Sequence, residues 1–202
     1  MKKKFLEFSI KRIKKKYPEY DDDKLEVIEY GLEALYITIT KTIVMFSIAL
    51  LLGIVKEVFL VILFYNIIRT TAFGMHAKKS SHCYIISGVL FVGMGLICKY
   101  VPISIYVKYI ISMLSLITII IYAPADTYKR PLLNEKKRKR FKLLTIINSL
   151  IYIILIIILK DHSISNYLVV GLLDASLMIH PLIYRMFQLP YNNYKNYEAT
   201  IG

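Results

Sequence analysis

The chain has 202 residues, 56% of them hydrophobic and 20% charged, with a mean hydropathy of +0.53 and a formal net charge of +13. Apolar content of this kind, gathered in long runs, excludes a water-soluble globular domain and points to a bilayer. In that setting the excess of Lys and Arg is explained by membrane topology and anionic lipid, and not by nucleic acid.

Residues 2–16, KKKFLEFSIKRIKKK, place Phe5, Leu6, Ile10 and Ile13 near helical spacing among lysines and an arginine, which predicts a basic helix lying on the inner leaflet. Pro18 and Asp21-Asp22-Asp23 interrupt it. A fresh helix is expected from Leu25, its amino end carrying the carboxylates that the helix dipole favours. The first span is read as Ala34 to Val55, and with no signal peptide visible it serves as its own insertion signal. Lys56-Glu57 makes a short turn. Val58 to Ile68 is too brief to cross alone at about 20 residues per crossing, so the helix should continue past Arg69 or the loop should dip back into the membrane. Four further spans follow, Tyr84 to Tyr100, Ile103 to Ala123, Phe141 to Leu159 and Tyr167 to Phe187. Pro102, Pro124 and Lys160-Asp161-His162-Ser163 act as breakers between them. The expected fold is all-α, a polytopic integral membrane protein with six transmembrane helices and a basic interfacial amino-terminal helix. One membrane-embedded domain covers 1–202, with interfacial residues 1–30 and cytoplasmic loops at 69–83 and 125–142.

Basic residues fix the orientation. Residues 1–24, 69–83, 125–142 and 185–202 hold twenty-two of the Lys and Arg side chains, whereas Lys56, Lys99 and Lys160 stand alone on the other side. Both termini and the 69–83 loop should therefore face the cytoplasm.

The loop Arg69-Thr-Thr-Ala-Phe-Gly74-Met-His76-Ala-Lys-Lys-Ser-Ser-His82-Cys83 is the segment richest in chemistry. A cysteine nucleophile needs a neighbouring base, and imidazole is the side chain suited to that work near neutral pH. His76 and Cys83 are of the right types. On an unbroken helix they would lie about 10 Å apart along the axis, too far for proton transfer, so a bend is required. Gly74 supplies a permissive backbone just ahead of His76, and Arg69, Lys78 and Lys79 supply positive potential of the sign that an anionic sulfur needs. His82 ranks second as the base, because sequence neighbours point different ways. Asn66, Ser81 and Asp126 are candidates to orient His76. The two cysteines do not suggest a disulfide framework, and His76, His82 and Cys83 lack a fourth ligand at recognised spacing, so neither a metal nor another cofactor is expected.

Arg69, Gly74, His76, Ala77 and Cys83, together with Tyr122-Ala-Pro-Ala-Asp126 and the step Lys129-Arg130-Pro131, resemble the signature of the accessory gene regulator B family along essentially the whole chain. Many members carry two glycines ahead of the histidine, where this chain has Phe73-Gly74-Met75. The resemblance implies a homodimeric membrane cysteine endopeptidase with Cys83 as nucleophile and His76 as base. It also implies a substrate, a quorum-sensing propeptide whose carboxy-terminal part is removed and whose remainder is closed into a thiolactone or lactone. Because propeptides of that family end in acidic segments, Lys129 and Arg130 become candidates for holding the tail. Anionic lipid is the other expected partner.

Lys41, Lys108, Asp174 and His180 lie within spans, where an unpaired charge is costly, so a lysine and Asp174 are expected to pair. A small transporter using such residues is the rival reading, and a scaffold recruited by its basic loops is a third. No GxxxxGK[ST] motif supports ATP-driven export.

Overall fold

A computed structural model describes residues 2–75, 80–127, 131–159 and 163–195. All the elements named there are helical, and Phe73 and Ala125 form an isolated parallel bridge. The chain divides into two compact units, Met1–Ile48 and Ala49–Gly202.

In the first unit α1 (Lys2–Lys16) pairs with the early part of α2 (Asp22–Leu51) as a helical hairpin. Lys2 Nζ meets Glu33 Oε1 at 2.7 Å, the Phe5 and Tyr36 rings lie 5.3 Å apart, and Lys14 Nζ meets Asp22 Oδ1 at 3.0 Å. Asp21 caps α2 by accepting from Lys24 N at 2.8 Å, with Asp22 and Asp23 in the first turn. The fresh helix expected after the acidic run therefore begins at Asp22, three residues ahead of Leu25, and continues without a break into the first span as one 30-residue helix.

In the second unit α3 runs Val55–Ala72 and continues past Arg69, as its length required. After it come α4 (Ser80–Ser87), a π-helical segment Gly88–Gly93, α5 (Met94–Tyr100), α6 (Ile105–Tyr122), α7 (Glu135–Ile158), α8 (Ser163–Ile179) and α9 (Pro181–Met186). The basic block 135–140, read as loop, is the first part of α7. Asn134 caps it by accepting from Lys137 N at 3.0 Å, and Glu135 pairs with Lys139 at 2.7 Å. The expected sixth span is shorter than Tyr167 to Phe187. Residue 180 precedes a proline and takes an extended conformation, its Nδ1 accepting from Leu182 N at 3.2 Å, so α8 ends at Ile179 and α9 restarts at Pro181.

α8 is the centre of this unit and is apolar on nearly every side, as a helix surrounded by others must be. α3, α6, α7 and α5 all pack on it. Gly171 admits α3 so closely that a Cβ there would lie 2.8 Å from Phe64 Cβ and 2.9 Å from Tyr65 N. Tyr152 of α7 donates to Phe64 O at 3.0 Å, and Ser176 of α8 to Ser115 of α6 at 3.2 Å. Small residues and interhelical hydroxyls are the contacts that association in lipid favours.

Polarity is arranged inside out for water. Ser112, Ser115, Thr145, Ser149, Ser165, Ser176 and Asp174 are buried, while Ile110, Leu114, Ile117 and Ile121 of α6 and Leu143, Ile147, Leu150, Ile154 and Ile158 of α7 are exposed. Apolar faces this wide need a nonpolar solvent. Four helical rods are long and apolar enough to cross a membrane: Asp22–Leu51, Ser81–Tyr100, Ile105–Tyr122 and Glu135–Ile158. The count of six expected from the sequence is not reached by that measure. α3 carries Lys56, Glu57 and Arg69 within its 18 residues, and α8 is 17 residues long.

Candidate active site at the α3 to α4 loop

The loop after α3 is held from three directions. Phe73 has φ of 58° and Gly74 of 115°, which turns the chain sharply off the helix axis. Gly74 N donates to Ala125 O at 2.8 Å, Ala125 N to Ala72 O at 3.0 Å, and Met75 N to Met178 O at 3.0 Å. Residues 73–75 are thereby laced both to the 123–127 segment and to the carboxy end of α8. Glycine at 74 is a steric requirement as well as a conformational one, since a Cβ would stand 2.6 Å from Arg69 Nη1 and 2.7 Å from Met178 O.

Arg69 holds the same loop from below. Its Nη2 donates to Met75 O at 2.6 Å and, less closely, to Gly74 O at 3.4 Å, and its guanidinium carbon lies 5.6 Å from the Tyr65 ring centre. Arg69 and Gly74 together set the path of residues 74 and 75. His76 itself, with Ala77, Lys78 and Lys79, lies outside the described residues.

Cys83 sits half-buried near the start of α4, and neither it nor Cys98 carries a disulfide. Tyr65 meets the Phe91 ring edge-on at 5.2 Å, fastening α3 to the π-helical stretch that follows α4. His82, the second-ranked base, packs its ring 5.8 Å from Phe187.

Asp126 is engaged by the chain after α9. The carboxylate is 4% exposed and accepts from Leu132 N at 3.3 Å, Asn193 N at 2.9 Å, Asn193 Nδ2 at 3.3 Å and Tyr194 N at 2.8 Å. Tyr184 adds a bond from its hydroxyl to Asp126 O at 2.9 Å. Asp126 is a clamp that ties the chain after α9 to the 123–127 segment, which in turn holds Gly74. Of the other orienting candidates, Asn66 and Ser81 are exposed. Lys129 and Arg130 lie outside the described residues. Among the described residues no cluster of three His, Cys, Asp or Glu could hold a metal.

Lys108 and Asp174 are not hydrogen-bonded to each other. Lys108 Nζ donates to Ser165 Oγ at 2.6 Å, whereas both Asp174 oxygens are buried without a hydrogen-bond partner. Tyr65 and Met178 escape the sequence, because their parts are played through packing and backbone atoms, which carry no residue signature.

The family profile described as accessory gene regulator B matches residues 7–182. The chain belongs to the accessory gene regulator B family. A putative AgrB-like protein of Listeria innocua is 30% identical over 178 residues, covering 88% of this chain and 87% of that one. A putative AgrB-like protein of Clostridium acetobutylicum is 26% identical over 186 residues, covering 92% and 89%. The accessory gene regulator protein B of Staphylococcus saprophyticus is 29% identical over 184 residues, covering 90% and 96%. No solved structure matches. The chain is thus a member of a family of accessory gene regulation with the helices of a membrane protein.

Proposed function

We propose that this chain is a membrane cysteine endopeptidase that cuts a quorum-sensing propeptide and helps to close the released portion into a thiolactone or lactone. The observation that carries the reading is the fixed loop before His76. The backbone N–H groups of Gly74 and Met75 are engaged, Arg69 grips the carbonyls of the same two residues, and Cys83 lies in the first half of the helix that follows. Preorganisation of this kind is what a nucleophile and base need.

In the proposed reaction His76 takes the proton of Cys83, and the sulfur attacks a propeptide carbonyl. Backbone N–H groups near Cys83 supply donors to the oxyanion. His76 then protonates the leaving amine, giving an acyl-enzyme thioester and a free carboxy-terminal fragment. A thiol or hydroxyl within the substrate, held close by binding, attacks the thioester and closes the ring in place of water. The membrane setting is six crossings with both termini cytoplasmic, α3 and α8 being the two crossings that rely on neighbours to shield their polar groups. Lys129 and Arg130 steer an acidic tail toward the site, and a second copy completes a homodimer.

Co-expression with the precursor gene tests this. Cys83→Ser and His76→Ala are expected to abolish release of the tail while leaving the protein in the membrane, and Asp174→Asn to leave export of a finished peptide unaffected. Tail release by the Cys83→Ser protein would overturn the peptidase reading, and loss of export alone in Asp174→Asn would favour a transporter.

A further inference from the structure

The rod that carries Cys83 is interrupted. Between α4 and α5 the residues Gly88–Gly93 form a π-helix, whose hydrogen bonds each reach one residue further than those of an α-helix. Such stretches are rare and gather at functional sites. The rod runs against α3 in the opposite direction. A Cβ at Gly95 would lie 3.1 Å from Val58 Cγ2, and one step along, the Phe91 and Tyr65 rings lie 5.2 Å apart.

Burial along the rod follows the widened turn. Ser87, Phe91 and Gly95 are buried at spacings of four, and Cys83, half-buried, stands four residues ahead of them. Ile85, Val89 and Ile97 are exposed on the other side, at spacings of four and eight. On a regular α-helix every step of four advances about 40°, so a stripe of fours winds off its side within a few steps. Here it holds. The twelve residues from Cys83 to Gly95 leave about 120° of phase on a regular helix, of which the one residue taken up by the π segment removes about 100°. A regular helix would bring Tyr84, eleven residues from Gly95, to the α3 side instead. In height Cys83 stands at most about 18 Å from Gly95, the rise that separates Val58 from Thr70 in the last turn of α3, just before the chain leaves for His76.

We propose that the π-helical segment is a positioning element for the reaction: it turns Cys83, and not Tyr84, toward α3 and the loop that leads to His76. It touches no substrate and acts only through the direction in which the sulfur points. A thiol turned away by a third of a turn cannot share a proton with a base on the loop whose start Gly74 and Arg69 hold. A π segment is in effect one residue added to an α-helix, so deleting one residue from it restores a regular helix and leaves the flanking residues where they were. Adding one turns everything ahead of it. This inference rests on Cys83 being the nucleophile.

The test uses the full chain in the membrane, co-expressed with its precursor gene, and reads released tail by mass against the amount of protein in the membrane. One chain lacks Val89, which is 61% exposed within the segment, and a second carries an alanine inserted between Val89 and Leu90. A third adds Cys83→Tyr and Tyr84→Cys to the insertion, which returns the thiol to twelve positions from Gly95. The deletion should keep release within about threefold of the parent, and the insertion should lower it at least about tenfold. The exchange should restore the inserted chain to within about threefold of the parent, a rescue that mere damage to the fold does not allow. The same exchange without the insertion should be as poor as the insertion alone. Release lost on deleting Val89, kept on insertion with Cys83 in place, or not recovered by the exchange overturns the positioning role. The Cys83→Ser chain separates the two failures. If it still releases the tail, the peptidase reading fails and takes this inference with it, and if it does not, those results bear on the π segment alone.

Discussion

At the scale of single residues, Gly74 and Asp126 are the positions on which the loop geometry turns. Gly74→Ala places a methyl within 3 Å of both Arg69 Nη1 and Met178 O, at a φ of 115° that costs an L residue on the order of 1–3 kcal/mol before any clash. The variant should insert normally and lose propeptide cleavage, with a lower thermal midpoint in detergent. Cleavage at the parent rate would show that the loop path is not needed. Asp126→Asn exchanges a carboxylate that serves four N–H donors for a group with one acceptor oxygen, at a cost of roughly 2 kcal/mol. The segment around Asn193 and Tyr194 should then become the first site of limited proteolysis, and mapping the cut by mass checks this. Arg69, Gly74 and Cys83 were legible in the sequence because each is a residue type with a rare capacity: a fork of donors, a positive φ, a thiol. The clamp was not legible. Asp126 and Asn193 are 67 positions apart, and what joins them is largely backbone N–H, which every residue but proline possesses.

At the scale of elements, the contact of α3 with α8 carries the site, because it brings Arg69, Tyr65 and Met178 to one place. Gly171→Ala drives a methyl against Phe64 and Tyr65 backbone atoms at 2.9 Å, which cannot move aside as a flexible side chain could. Gly88→Ala is the matching control, since nothing lies within 4 Å of its added Cβ. The first should cost about 1–3 kcal/mol, the usual penalty of overpacking, and the second should be neutral or slightly stabilising. Thermal unfolding of the two variants side by side tests this, and equal midpoints would contradict the close α3 to α8 approach. Element positions were largely readable from apolar runs and from Pro102 and Pro124, which do lie between helices. Two boundaries were not. The basic block is helical because Asn134 and the Glu135 to Lys139 pair start α7 early, and Pro181 breaks what its apolar neighbours suggested was one span.

At the scale of the whole molecule, an interior with serines and a carboxylate beneath an apolar exterior requires lipid, and the distribution of basic residues then predicts sidedness. Reporter fusions after residues 24, 75, 130 and 195 should all read as cytoplasmic, and fusions after residues 56, 102 and 160 as external. An external reading at 130 or 195 would contradict the six-crossing arrangement. Whether the chain breaks a peptide bond through its own sulfur is decided most directly by intact-protein mass spectrometry of the chain purified after brief co-expression with its precursor gene. A mass increase equal to the propeptide without its released tail, mapping to Cys83 and discharged by hydroxylamine, is the result this account predicts. Efficient tail release with Cys83 unmodified at every time point, or an unchanged yield of tail from the Cys83→Ser protein, would contradict it.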